Sequence, residues 1–78
     1  IYVYPNPSAT YFTLNPIKVQ GHTYPIKIRV YNTAAQLVYF TEGNSGSRYY
    51  FGSDFLPGTY TLVVEVANTV QAVQLVKI

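Results

Sequence analysis

Cysteine is absent, so neither a disulfide framework nor a thiolate metal site is available, and the core has to hold without covalent help. The same absence leaves the redox compartment open. Charge is scarce: 10% of residues are charged against 17% aromatic, nine of them Tyr, so the surface has to be polar through Tyr, Thr, Asn, Gln and Ser. The net charge of +2 rests on Lys18, Lys27, Arg29, Arg48 and Lys77. No three of these cluster, which leaves no nucleic-acid footprint. No apolar run approaches the roughly 20 residues needed to cross a bilayer, and no basic-then-apolar signal peptide opens the chain, so membrane insertion is not expected. There is no initiator Met, and Ile1 already reads as strand. The chain is therefore expected to be the tail or an internal module of a longer protein, with any targeting signal upstream. Its 78 residues make one small domain, near the size at which burial only just offsets chain entropy.

What is present is period two. In Thr59 to Val66, Tyr60, Leu62, Val64 and Val66 share one face and Thr61, Val63 and Glu65 the other, which marks a central strand. Pro57 and Gly58 before it suit a tight turn. Pro25 to Tyr31 alternates as cleanly, with Ile26, Ile28 and Val30 inward; Asn32 to Gln36 is a loop, and Leu37 to Thr41 completes a hairpin. Ile1 to Tyr4, Tyr11 to Leu14 and Arg48 to Phe51 read as short strands, the first stopped by Pro5-Asn6-Pro7. Ile17 to Tyr24 is a connection, and Glu42 to Ser47 an exposed loop. Phe55 and Leu56 are expected to plug the end of the core. Asn68 and Thr69 turn into a last strand, Val70 to Ile78, whose phase is awkward: Val73 and Leu75 fall on one face, Val70, Ala72, Val76 and Ile78 on the other. Either a bulge shifts its register or both faces are covered. With no 3.6-residue period, the chain reads as all-β, a two-sheet immunoglobulin-like β-sandwich of about seven short, mostly antiparallel strands. Lacking a Cys…Trp…Cys pattern, it is not a conventional antibody-type domain.

Chemistry is sparse. His22 is the single histidine and has no convergent partners in sequence; Glu42, Asp54 and Glu65 lie far apart, against a paired-carboxylate hydrolase. Ser45, His22 and Asp54 can be written as a triad, but neither a nucleophile elbow nor an oxyanion glycine frames them. The Gly43 to Gly46 stretch lacks the Lys and the following helix of a phosphate cradle. Asn6 and Asn15 precede Pro, and Asn32, Asn44 and Asn68 lack the second hydroxyl position, so no N-glycosylation sequon is present. The reading is of a non-enzyme without cofactor or metal. Exposed tyrosines among Tyr2, Tyr4, Tyr11, Tyr31 and Tyr50 could stack on sugar rings. Their other reading is that Tyr suits a half-buried pleated surface.

Four segments arrive in a recognisable order: VYPNPSATYFTL at Val3 to Leu14, IRVYNTAAQLV at Ile28 to Val38, LPGTYTLVVEV at Leu56 to Val66 and QLVKI at Gln74 to Ile78. Together they resemble the C-terminal sorting domain, type A, of proteins exported by the type IX secretion system of Bacteroidetes, over nearly the whole chain. The resemblance implies a non-catalytic address tag, residues 1–78 being a single sorting domain at the end of a larger secreted protein. Its cargo passes through the periplasm, and the tag meets the translocon and an outer-membrane shuttle protein. A surface sortase then commonly cleaves and attaches the cargo at the cell surface. It further implies that Gln74, Leu75, Val76, Lys77 and Ile78 are the part most needed for export. Tyr4, Pro5, Asn6, Pro7, Leu56, Gly58 and Tyr60 are its motif and fold-determining positions, Tyr60 bringing a hydroxyl that needs a partner. Where the family usually has Asp-x-x-Gly-Lys, this chain has Asn32, Ala35 and Gln36; if that glycine takes positive φ in relatives, the Cβ of Ala35 requires a different turn here. If the last strand lies at a sheet edge, its unpaired backbone groups could template a receptor strand, and an uncovered edge also permits strand-exchanged dimers. The alternative is an accessory β-sandwich of an extracellular hydrolase, binding sugar through Tyr or serving as a spacer.

Overall fold

Alternation builds the middle of the larger sheet. In the computed structural model, which describes residues 1–78, the strands are β1 (Val3–Tyr4), β2 (Phe12–Leu14), β3 (Pro25–Tyr31), β4 (Leu37–Asn44), β5 (Tyr49–Phe51), β6 (Gly58–Val66) and β7 (Thr69–Lys77). There is no helix. β3 and β6 pair antiparallel from Ile26 opposite Val66 to Tyr31 opposite Thr61, which sets Ile26, Ile28, Val30, Leu62, Val64 and Val66 on one face. All six are buried.

Two antiparallel sheets result, ordered β1-β2-β5 and β4-β3-β6-β7. Strands one, two and five against three, six and seven is the division of an immunoglobulin-like sandwich, with the fourth strand here joining the larger sheet. The small sheet closes the core with Phe12, Leu14 and Phe51, and Phe55 packs against them from the loop beyond β5. That loop starts at Gly52, whose φ of +89° is easy only for glycine and whose added Cβ would lie 2.9 Å from the Phe12 ring. At the corner into β6 the Tyr60 hydroxyl donates to the Leu56 carbonyl at 2.5 Å, and its ring stacks on Phe55 at 4.6 Å. This is the tyrosine corner of such sandwiches, and it supplies the partner that the Tyr60 hydroxyl was expected to need.

Several segments depart from expectation. β1 shortens to Val3–Tyr4 and β5 starts at Tyr49. β4 runs on through Glu42, Gly43 and Asn44, which read as loop in sequence. They pair with Lys27, Ile26 and Pro25, and Gly43 sits so close under the Tyr49 hydroxyl that a side chain would collide with it. Leu56 is no core plug: it is 77% exposed, and its contribution is the carbonyl that Tyr60 uses. The β6–β7 turn is Ala67-Asn68, with φ of 51° and 62°, so β7 starts at Thr69. Positive φ at both central residues is the twist-matched two-residue hairpin.

The β3–β4 loop contains a left-handed residue with a side chain. Ala35 takes φ of 60° despite its Cβ. The Asn32 carboxamide holds the turn, its Oδ1 accepting from the Ala34 and Gln36 amides at 2.9 and 3.0 Å. A left-handed alanine costs about 1–2 kcal/mol. Ala35→Gly should therefore raise unfolding free energy by roughly 0.5–1 kcal/mol after glycine's larger unfolded-state entropy is deducted, measured by urea denaturation.

Candidate functional site

The last strand has one full neighbour. β7 pairs with β6 without a register break, from Val66 opposite Thr69 to Gly58 opposite Lys77. Its awkward phase is thus resolved by neither a bulge nor a cover. Leu75 and Lys77 point inward, opposite the face of Val70, Ala72, Gln74, Val76 and Ile78, and that second face is open, with Val70 61% and Ile78 68% exposed. A row of exposed aliphatic side chains on an edge strand is unfavourable in water unless something else uses it.

Lys77 occupies a core position and is only 6% exposed. Its ammonium donates to the Gly52 carbonyl at 2.5 Å and reaches the Ser53 carbonyl at 3.4 Å. A buried charge is tolerable only when such polar groups replace its water. Its backbone is paired opposite Gly58 on β6. Of the five terminal residues singled out in sequence, Leu75 and Lys77 therefore bind the strand to the body of the domain. Gln74, Val76 and Ile78 face outward.

The outer edge of β7 is partly occupied, against the expectation that its backbone groups stand unpaired. The Asn6 side chain donates to the Gln74 carbonyl at 2.9 Å and accepts from the Val76 amide at 3.0 Å. Ser8 continues the pattern with its own backbone, donating to the Val76 carbonyl at 2.9 Å and accepting from the Ile78 amide at 2.8 Å. Ser8 is itself buried, its hydroxyl donating to the Tyr11 carbonyl at 2.7 Å. The Tyr4-Pro5-Asn6-Pro7 motif and the terminal motif, far apart in sequence, thus meet along one edge. Ser8, Gly52 and Ser53 carry no local sequence signal of this. The one available hint is an Asn between two prolines, whose own N–H groups are missing.

The other candidates lie elsewhere. His22 is exposed in a turn, its backbone bridged to Val19. Ser45 is buried, its hydroxyl accepting from the Tyr24 amide at 3.0 Å, and Asp54 is exposed in the β5–β6 loop. A depression of about 850 Å³ opens at the other end of the larger sheet, where Lys27, Glu42 and Glu65 line it, and it includes neither His22 nor Asp54. On the outer face of the small sheet, Tyr11 meets Tyr50 edge to face and Tyr2 tilts against Tyr4. Thr13, opposite Tyr4 and Tyr50, is buried in that face. The rings roof a thin sheet and share no common plane.

A family model described as a secretion system C-terminal sorting domain matches residues 2–78. No curated protein matches the sequence.

Position along β7 sets the cost of substitution. Leu75→Ala should lower unfolding free energy by about 3 kcal/mol, the cost of a cavity in a packed core, whereas Ile78→Ser should change it by less than about 0.5 kcal/mol. Denaturant unfolding of the two variants checks both.

Proposed function

The chain belongs to the type IX secretion-system C-terminal sorting domain family, and on that premise we propose that its terminal strand is the surface by which the secretion machinery recognises it. The family is a non-catalytic sorting signal, and membership implies export across the outer membrane to the cell surface or the medium. The finer reading is that the domain is the tail of a larger secreted cargo that transits the periplasm. The translocon and an outer-membrane shuttle protein contact it through Gln74, Val76 and Ile78, and a surface sortase commonly removes it when the cargo is attached.

One observation carries the choice of surface: β7 is an edge strand whose outward aliphatic side chains are uncovered although Leu75 on its inward face is fully buried. Burying Val76 and Ile78 against a partner would recover apolar area that folding leaves in water. Leu75 and Lys77 contribute by holding the strand in place.

The test is a fusion of a periplasmic signal peptide, a fluorescent reporter, a short native linker and residues 1–78, expressed in a type IX-competent strain and in a translocon-null sister. Surface or medium reporter should appear only in the competent strain. Val76→Ser combined with Ile78→Ser should lower it about tenfold or more, the factor that about 1.4 kcal/mol of lost contact gives, without unfolding the domain. Unchanged export by that double variant would rule out this surface.

A further inference from the structure

We infer that Asn6 is a positioning residue for the sorting signal: its carboxamide stands in for the N–H and C=O of a strand residue opposite Leu75 and holds the end of β7 in the form that is recognised. This rests on the reading of the terminal strand as the recognised surface.

The geometry is that of a ladder. Ser8 pairs with Lys77 as in a parallel sheet, using its N–H on the Val76 carbonyl and its C=O on the Ile78 amide. Two residues earlier, a parallel strand would place the backbone of residue 6 against the Gln74 carbonyl and the Val76 amide. Those two groups are instead met by the Asn6 side chain, at 2.9 and 3.0 Å. A carboxamide sets an N–H donor beside a C=O acceptor, as the N–H and C=O of one strand residue are set along the same edge. Its orientation is fixed, because the Gln74 carbonyl can only accept and the Val76 amide can only donate. The flanking prolines let the chain turn so that the side chain, and not the backbone, reaches the strand. They also leave positions 5 and 7 without N–H groups, so this short outer segment offers little to a further strand.

The consequence is a terminal strand whose last residues are paired on both sides, although β7 is the edge strand of its sheet. Freed on that side, a segment of an edge strand opens locally. Held, it keeps Gln74, Val76 and Ile78 in one alternating phase, facing away from the core. The outward peptide groups of Val70 and Ala72 receive no such partner, so the closure is confined to the segment that carries the signal.

Aspartate at position 6 separates this role from general support. It is nearly isosteric, yet ionised it has no donor and sets a carboxylate oxygen against the Gln74 carbonyl. In Asn6→Asp, the Val76 amide, and with it that of Ile78, should exchange hydrogen about tenfold or more faster than in the parent, while core amides of β3 and β6 keep their protection. In the reporter fusion Asn6→Asp should lower export about tenfold. Ile28→Val, which weakens the core without touching this edge, should export as the parent does. If Asn6→Asp does not fold, Asn6→Ser carries the same comparison with no charge. Deletion of Val76 to Ile78 is run alongside. Export surviving that deletion defeats the terminal-strand reading and this inference with it. Export lost on deletion but normal in Asn6→Asp, with the Val76 amide unprotected, overturns the positioning role alone. Unchanged protection at Val76 overturns the clasp itself.

Discussion

The ladder between β6 and β7 carries the rest of the structure. β6 is the one nine-residue strand paired on both sides, by β3 and β7, and its inward row of Tyr60, Leu62, Val64 and Val66 supplies the middle of the core. A domain of this size without disulfides has little margin, so the outermost strand cannot be left to the ladder alone. Three other contacts secure β7: Leu75 in the core, the Lys77 ammonium on the Gly52 carbonyl, and Asn6 with Ser8 along the open edge. Each ties the end of the chain to a different part of the fold, and each falls within residues 74–78. The result is a strand firmly held yet displaying uncovered aliphatic side chains.

That combination gives the sorting function a physical form. An edge segment paired on one side only opens readily, and an open segment must be ordered at an entropic cost when it binds. Fixing it beforehand moves that cost into folding. The two motifs at opposite ends of the chain then act at one place: Pro-Asn-Pro forms the lateral support, and Gln-Leu-Val-Lys-Ile divides by phase into anchors and outward groups.

The legible parts of the fold were those written in local alternation. β3, β6 and the Asn32–Gln36 loop fall where period two and turn chemistry put them, and Tyr60 already implied a hydroxyl partner at its corner. The illegible parts depend on contacts distant in sequence. Gly43 and Asn44 have loop-like composition but are drawn into β4 by pairing with β3, and Ala35 is forced left-handed by the Asn32 carboxamide. Lys77 breaks the apolar pattern of an inward row because its charge is met by a loop 25 residues away. Asn6 looked like turn chemistry; its bonds span 68 and 70 residues, and nothing local announces them. The terminal residues were therefore named by resemblance alone, and their division into inward anchors and outward groups was not legible in the sequence.

The central claim is that the outward face of the terminal strand meets the secretion machinery. The most direct measurement places a photo-cross-linking side chain at position 78, and separately at Tyr50 on the outer face of the opposite sheet, in an exported fusion protein. The account requires cross-links to outer-membrane components of the pathway from position 78 and none from position 50. Cross-links from position 50 with none from position 78 would contradict it and move recognition to the tyrosine-covered face of the small sheet.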